Sequence, residues 1–225
     1  MDEKRGRFKP EELDVVSVLQ RLATTYRWIS FKNSFGYLSL KVGFHFSPYD
    51  DLVDFDASIE YLPKTDEVKK LRLSSVDYDS VEDFFENFER QAKKFYGDPI
   101  LAVNPPSRGL FFPILSLYLK LVNLFRIYLS ATGDEESEDR EKATLSKRTS
   151  WIDLDAYLVY FSLEVDYYWE PGHDSLEAEV KLGLRNSSCS FKVKLLEDLD
   201  LAIRFAEEFF KYALRKGYDR EAEER

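Results

Sequence analysis

The sequence of 225 residues has one cysteine, two histidines and nine glycines, and each scarcity excludes a class of site. A single cysteine, Cys189, can form neither an intrachain disulfide nor a zinc site built from cysteines alone. The sequence also lacks a glycine-rich phosphate loop, a pair of histidines at helical spacing and a nucleophile turn of the Gly-x-Ser-x-Gly type. We therefore expect a protein that is not an enzyme, with no catalytic residues, no metal and no cofactor.

Net positive charge is lacking as well, because the formal net charge is −10 and the pI is about 4.9. A nucleic-acid-binding protein normally presents a basic surface to the phosphates, and an anionic membrane likewise attracts cationic surfaces. The composition therefore disfavours both of these partners. It is compatible with docking onto a protein partner that has a basic surface.

Residues 1–14 contain no apolar run of the secretory type, which together with the single cysteine predicts a cytoplasmic setting. One methionine and two glutamines accompany many glutamate, lysine and arginine residues, a composition typical of thermophilic proteins. Hydrophobic residues make up 44% of the chain and aromatic residues 16%, so the sequence supplies enough apolar side chains for a folded core.

Two segments that begin at Trp28 and Trp151, 123 positions apart, have closely similar sequences. Aligned without gaps over 32 positions they share eight identical residues, where unrelated segments would share about two. The apolar positions coincide as well, which indicates two copies of one structural unit. The identical pairs are Trp28/Trp151, Ile29/Ile152, Tyr37/Tyr160, Ser39/Ser162, Leu40/Leu163, Val42/Val165, Pro48/Pro171 and Asp51/Asp174.

In each copy the apolar alternation changes face at the same place, near Gly36 and Val159. A one-residue shift moves every later side chain to the opposite face, and a β-bulge in one long strand explains it. Two alternating strands follow, and helices with one apolar stripe flank the strands. The predicted fold is α+β, a tandem duplication with two pseudo-symmetric halves. Each half has a helix, an antiparallel sheet of three or four strands whose first strand is long and bulged, and a second helix.

The outer faces of neighbouring strands carry opposite charges. In the later copy Glu177 and Glu179 lie on one strand, while Lys192 and Lys194 lie on the next. Acidic residues of the earlier copy precede Arg72 in the same way. Such residues can pair across antiparallel strands, and each pair contributes about 0.2–1 kcal/mol.

Four helices are predicted, and Ser80 suits the cap position of the second. The third is apolar over most of its surface, yet Lys120 and Arg126 lie in its middle. A central lysine or arginine costs about 2.5–3.5 kcal/mol on membrane insertion, so we expect this helix to be buried between the two halves or between two subunits. The predicted helices cover residues 10–26, 79–96, 113–130 and 200–217.

The predicted organisation is a first α+β module over residues 1–98, a proline-rich linker over 99–112 and a second module over 113–225. Residues 133–150 form a polar, mostly charged run without an apolar period, which is typical of a solvated loop. Only the second copy has this insertion. It suggests a function that breaks the symmetry between the halves.

The triplet Glu179-Val-Lys181, with Asp166 in the preceding strand, resembles the acidic residue and Glu-x-Lys arrangement of metal-dependent nucleases. The resemblance implies a divalent-metal-dependent nuclease in which Asp166 and Glu179 hold Mg²⁺ beside Lys181. The competing interpretation is charge pairing between strands. Glu-x-Lys triplets are frequent in a chain so rich in both residues, and Glu67-Val-Lys69 is another.

Other candidate sites are weaker in the sequence. Glu170, His173 and Asp174 could hold a metal, but a polar, solvent-exposed turn is the favoured interpretation. His45 lies on the polar phase of a strand. Cys189 has no histidine near it in the sequence, which indicates a packing residue rather than a nucleophile.

Two successive modules of curved antiparallel strands followed by a helix resemble the plan of the Pur-type and Whirly-type single-strand-binding proteins. The resemblance implies that aromatic strand residues such as Tyr37, Tyr160, Tyr168 and Trp169 stack on bases. It rests on architecture alone, because no motif of these families matches residue by residue. Aromatic strand residues are equally typical of a core.

Among these alternatives, we expect a non-catalytic intracellular binding or scaffold protein that acts through protein–protein contacts. Its expected partner is a protein with a basic surface, contacted by the acidic strand faces and by residues 133–141. We also expect a homo-oligomer. A single-stranded nucleic acid is the alternative partner, and no membrane is expected.

Overall fold

The computed structural model describes residues 5–32, 36–47, 51–62, 69–132, 160–184, 187–194 and 200–208. These residues form one antiparallel sheet of six strands and four α-helices, which is the α+β class that the sequence predicts. The helices are α1 Val15–Lys32, α2 Val81–Tyr96, α3 Phe112–Thr132 and α4 over 200–208. The strands are β1 Tyr37–Ser47, β2 Leu52–Leu62, β3 Lys69–Ser74, β4 Tyr160–Glu170, β5 His173–Leu184 and β6 Ser187–Lys194.

The strands have the order β3-β2-β1-β4-β5-β6, so β1 and β4 lie side by side at the centre of the sheet. Val42 lies directly opposite Val165 in this central pairing, and the two are an identical pair of the sequence repeat. The prediction of a separate sheet of three or four strands in each half is wrong, because the pairing of β1 with β4 joins all six strands. The tandem duplication and the module boundaries at 1–98, 99–112 and 113–225 stay predictions.

The predicted long, bulged first strand is wrong for the first copy. Trp28 and Ile29 lie in α1, and β1 begins only after Gly36. Leu22 and Ile29 are seven positions apart and both are buried, which is the spacing of one face of a helix. The change of apolar phase therefore marks the passage from helix to strand. In the second copy the corresponding residues, 151–159, lie outside the described residues.

The two central hairpins differ in their turns. Four residues of the sequence separate β1 from β2, whereas only Pro171 and Gly172 separate β4 from β5. The ungapped alignment is therefore wrong from β2 and β5 onward, and its last identical pair, Asp51 and Asp174, is not structurally equivalent. Because the difference is two residues, the predicted inward and outward faces of the strands are preserved. Gly172 has a φ of 87°, a conformation that glycine adopts without a steric penalty.

The helices cover one face of the sheet. The ring contacts between the described helices and strands all fall on this face, for example Phe44 on Tyr118 and Phe55 on Phe84, with centroids 6.1 and 4.8 Å apart. The fully buried strand residues on this side are Leu40, Val42, Phe44, Phe46, Val53, Phe55, Ala57, Ile59, Leu71, Phe161, Leu163, Val165, Tyr167, Ala178, Val180 and Leu182.

Helix α2 begins close to the residue that the sequence predicts, whereas the apolar Phe95 near its end and Phe205 of α4 are 43% and 48% exposed. Ser80 caps α2, since its hydroxyl accepts a hydrogen bond from the backbone N–H of Asp83 at 3.1 Å. In α4 the predicted apolar positions Ala202 and Ala206 are buried in the core. The remainder of the predicted final helix lies outside the described residues.

Helix α3 packs over the central strands through its apolar stripe. Phe125 contacts Phe46 of β1 and Phe161 of β4, with ring centroids 5.9 and 5.1 Å apart. By length and composition the segment Arg108–Ile127 is one helix that could cross a membrane, with a mean hydropathy of 1.6 and 39% of it buried. Its buried part is the stripe that contacts the sheet.

One buried polar group of α3 yields a prediction. The hydroxyl of Tyr118 is buried without a hydrogen-bond partner among the described residues, and burial raises the pKa of this phenol. Replacing Tyr118 with phenylalanine removes an unsatisfied group, so the free energy of unfolding should stay unchanged or rise by up to about 1 kcal/mol. Tyr167→Phe is the matched control. It removes a bonded hydroxyl and should cost about 1–3 kcal/mol in chemical denaturation, so an equal loss in both variants contradicts the prediction.

Candidate functional site

The sheet surface opposite the helices is lined by charged side chains, and we call it the open face. Seven carboxylates and two lysines of the four central strands form it, so its charge is acidic. The edge strands β3 and β6 carry Lys70, Arg72, Lys192 and Lys194. The residues of the open face are Lys41, Asp54, Asp56, Glu60, Glu164, Asp166, Glu177, Glu179 and Lys181.

The register of β5 and β6 places acidic and basic positions opposite each other, as the predicted charge pairing requires. Glu177 lies opposite Lys194, and Glu179 lies opposite Lys192. Each acidic position of the inner strand thus meets a basic position of the edge strand.

A compact charge cluster occupies the middle of the open face. The Nζ of Lys41 lies 3.2 Å from Oε1 of Glu164 and 3.6 Å from Oδ1 of Asp166. The Nζ of Lys181 lies 2.6 Å from Oε2 of Glu164 and 3.7 Å from Oε2 of Glu179. Three carboxylates therefore share two ammonium groups, and Glu164 stands between both lysines.

The contacts within the cluster favour the charged forms of Glu164, Lys181 and Lys41. Burial acts to raise the pKa of Glu164, but the bonds from Lys181 and Lys41 outweigh it and hold that pKa below the usual value. The hydrogen bond to Glu164 raises the pKa of Lys181. Burial acts to lower the pKa of Lys41, yet Asp166 and Glu164 raise it overall. Glu164 and the two lysines are therefore ionised together at neutral pH.

The positions of Asp166, Glu179 and Lys181 can be compared with the arrangement of a metal-dependent nuclease. Asp166 lies opposite Glu177 and Glu164 lies opposite Glu179, so Asp166 and Glu179 are diagonal neighbours on the open face. Lys181 binds the carboxylates directly rather than standing apart from them. Among the described residues no group of three or more His, Cys, Asp or Glu side chains is arranged to hold a metal ion. This arrangement favours charge pairing over a divalent-metal site.

His45 extends the polar network toward β2. Its Nε2 lies 2.7 Å from Oδ1 of Asp56, and Arg72 lies 3.7 Å from the other oxygen of that carboxylate. Gly43 makes room for this bond, because a Cβ there would lie 2.6 Å from Asp56 Oδ1. The hydrogen bond to Asp56 raises the pKa of His45 despite partial burial.

The raised pKa gives a pH-dependent contribution to stability. The bond to Asp56 stabilises the fold fully below the unfolded-state pKa of histidine, about 6.5, and this stabilisation is lost as the pH rises through the higher folded-state pKa. His45→Gln should therefore lose more stability at about pH 5.5 than at about pH 9, by no more than about 1 kcal/mol because His45 is 45% exposed. Urea denaturation of both proteins at the two pH values measures this loss in the free energy of unfolding. An equal loss of stability at both pH values would contradict the hydrogen bond between His45 and Asp56.

A second feature, on the helix side of the sheet, is a cavity of about 340 Å³. It lies between the end of α1, residues 100–104 and the β4–β5 hairpin, and we call it the hairpin cavity. Arg27 and Phe31 line it from α1, while Trp169 and Asp174 line it from the hairpin. No sequence pattern indicated a role for Arg27, which is one of two arginines in α1.

Arg27 joins the walls of the hairpin cavity. Its Nε donates to the hydroxyl of Tyr167 at 3.0 Å, and its Nη1 donates to the carbonyl of Asn104 at 2.6 Å. Its Nη2 donates to the carboxylate of Asp174, which also accepts from the Tyr167 hydroxyl. Burial opposes the charge of Arg27, but Asp174 raises its pKa overall. Burial and the bond to Asp174 raise the pKa of Tyr167.

The remaining candidate residues of the sequence analysis lie in β4, β5 and β6. Asp174 binds Arg27 in the hairpin cavity. Glu170 and His173 form the last pair of the β4–β5 hairpin. Cys189 lies in β6 opposite Leu182.

The predicted aromatic platform is divided between the two sides of the sheet. Tyr168 follows the same alternation as Asp166 and belongs to the open-face side, as does the 60% exposed Tyr37. Trp169 belongs to the helix side, where it lines the hairpin cavity. Successive strand residues point to opposite faces, so Tyr168 and Trp169 cannot stack on one nucleic-acid strand together.

Comparison of the chain with protein-family models, with curated proteins and with solved structures gives no match.

Proposed function

We propose that this chain is a non-catalytic binding or scaffold protein that recognises the basic surface of a partner protein through the open face. The observation that carries the proposal is the charge balance of this surface, where seven carboxylates accompany two lysines on strands that no described helix covers. Charge complementarity of this kind speeds association and selects the partner.

The carboxylates of the charge cluster can bind cationic side chains of a partner protein. Glu164 already binds two ammonium groups, so its carboxylate lies where positive charge is favourable. An arginine of a partner can bind a carboxylate through two parallel hydrogen bonds, which a lysine cannot do. A basic partner would therefore replace or share Lys41 and Lys181 at the carboxylates.

The same charge opposes the alternative partner, a single-stranded nucleic acid. Phosphate groups would meet an acidic surface at the centre of the sheet, and the lysines available there are bound to carboxylates. The division of Tyr168 and Trp169 between two faces removes part of the proposed stacking surface. The protein partner is therefore the interpretation that the geometry favours.

The test measures the binding of a fluorescently labelled peptide rich in arginine and lysine by anisotropy, at low and at moderate salt. The double substitution Glu177→Gln and Glu179→Gln removes two charges from the open face. We expect it to weaken binding by at least about tenfold, while added salt weakens binding to the unsubstituted protein.

The matched control removes two charges from another surface. Glu12 and Glu86 are exposed outside the open face, and Glu12→Gln with Glu86→Gln changes the net charge equally. Equal weakening in both double variants would show that only net charge matters, and would overturn the proposal. A pull-down from native extract that returned only nucleic acid would favour the single-strand-binding alternative. Manganese-dependent DNA cleavage abolished by Glu179→Ala would establish the nuclease instead.

We also propose that the chain arose by tandem duplication. The support is the direct pairing of Val42 with Val165 and the similar run of two helices and three strands in each half of the described chain. An experimental structure in which residues 37–98 fail to superimpose on 160–219 contradicts this origin.

We further propose that the protein acts in the cytoplasm as a homo-oligomer. Phe112, Leu119 and Ile127 form an exposed apolar stripe on α3, with exposed fractions of 55%, 40% and 64%. A stripe of this kind suits a symmetric contact with a second copy of the chain. Sedimentation of the protein and of Leu119→Glu tests it, since a monomer in both samples contradicts the contact.

A further inference from the structure

The hairpin cavity has walls that are fixed before any ligand arrives. Three separate parts of the chain form them, and the side chain of Arg27, which extends from α1 and is only 12% exposed, bonds to the other two: Tyr167 and Asp174 in the hairpin and Asn104 in the connecting segment. A cavity braced in this way keeps its shape, so binding costs little ordering of the protein.

The described residues of the cavity wall combine aromatic, aliphatic and charged side chains, and their charges sum to zero. Phe31 and Trp169 provide aromatic surface, while Ile100 and Val103 add aliphatic surface. Among the described residues that line the cavity, the charged side chains are those of Arg27 and Asp174, and they neutralise each other. A charged ligand would have to compete with one member of this ion pair for the other, which is costly in a partly buried site.

Polar groups at the wall can still bind a neutral ligand. The guanidinium of Arg27 carries five N–H donors, and three donate to the protein. Asn104 has a side-chain amide that supplies both a donor and an acceptor. A ligand with both hydrogen-bonding functions on one edge therefore matches this wall.

The size of the cavity restricts the ligand further. Ligand sites usually measure about 300–1,000 Å³, so a cavity of about 340 Å³ suits a molecule of one or two rings. Aromatic side chains favour planar partners through offset stacking or edge-to-face contacts. We propose that the hairpin cavity binds a small, uncharged aromatic molecule that carries a hydrogen-bonding edge. This is a function separate from that of the open face.

The test compares four probes that share one ring and differ in one substituent: benzamide, benzoate, benzylamine and toluene. Dissociation constants come from titrations followed by NMR of the full chain. We expect benzamide to bind at least about tenfold more tightly than each of the others, because only benzamide is neutral and can hydrogen-bond. Tighter binding of benzoate or benzylamine, or no saturable binding of benzamide, would overturn the proposal.

The location of binding is tested by a pair of variants. Ala102 lies at the rim and lines the cavity, so Ala102→Trp should fill it and weaken benzamide binding by at least about tenfold. Leu101 is fully exposed and does not line the cavity, so Leu101→Trp adds the same bulk beside it and should leave binding unchanged. Equal effects in the two variants would overturn the location.

A second measurement follows ligand binding to the unsubstituted protein. The indole N–H resonance of Trp169, assigned from the spectrum of Trp169→Phe, should shift on addition of benzamide to the unsubstituted protein. The resonance of Trp28, which is buried in the core, should not shift. A shift of Trp28 alone, or of neither resonance, would place the ligand outside the hairpin cavity.

Discussion

Replacing Phe161 with alanine is expected to lower the free energy of unfolding by about 3–5 kcal/mol. Phe161 is 1% exposed, and its ring lies 5.3 Å from that of Phe46 and 5.1 Å from that of Phe125. It therefore contacts β1 and α3 at once from its place in β4. The substitution leaves a cavity where the central pair of strands meets the helix layer, and packed aromatic neighbours cannot collapse easily into it.

Tyr37→Ala is the control for Phe161→Ala, because it also removes an aromatic ring from a central strand. Tyr37 is 60% exposed, so its loss should cost less than about 1 kcal/mol. Denaturation curves in guanidinium chloride measure both variants. Similar losses in the two would contradict the assignment of Phe161 to the core and of Tyr37 to the surface.

Replacing Arg27 with methionine is expected to cost about 2–4 kcal/mol. Removing one partner of a buried ion pair usually costs about 3–5 kcal/mol, and the 24% exposure of Asp174 lets water reduce the loss. The substitution also leaves the carbonyl of Asn104 and the hydroxyl of Tyr167 without their donor. Methionine keeps most of the apolar length of the side chain, so the loss reports on the polar network.

Arg21→Met on the same helix is the matched control for Arg27→Met. Arg21 binds Glu82 and Glu89 at 2.8 and 3.0 Å, but its side chain is 35% exposed and its partners are more exposed still. Exposed ion pairs contribute about 0.2–1 kcal/mol, so this variant should lose no more than that. If Arg21→Met proves as destabilising as Arg27→Met, the hairpin cavity is not braced by a specially buried arginine.

Much of the local structure could be predicted from the sequence. The alternation in β2 and β5 identified the inward residues, and Ser80 located the start of α2. These predictions succeeded because they depend on neighbours within one element. The boundary after Ile29 was not predictable in the same way, since a short apolar segment with a phase change fits a bulged strand as well as a helix followed by a strand.

The joining of the strands into one sheet depends on contacts that no local pattern encodes. Val42 and Val165 match as repeat partners in the sequence, yet a match does not tell whether the partners lie in separate sheets or pair directly. The number of residues between the strands of each central hairpin could not be predicted for the same reason. An ungapped alignment tolerates a two-residue difference when the strand alternation has a period of two.

The open face and the hairpin cavity differ in how much of each could be predicted from the sequence. Charged outer residues such as Glu179 and Lys181 were visible as an alternating pattern, and the open face follows from that pattern once the sheet is formed. The hairpin cavity has no such signal. Arg27, Asn104 and Asp174 come from distant parts of the chain, and only the packing of α1 against the hairpin brings them together.

The central claim, that the open face binds basic partners, is tested most directly by NMR mapping of the labelled protein during titration with the arginine- and lysine-rich peptide. We predict that the largest shifts of backbone amides occur in β1, β2, β4 and β5 and that they fade when salt is added. Shifts concentrated on α2 or α3, or the absence of any salt-sensitive shift on the central strands, would contradict the claim.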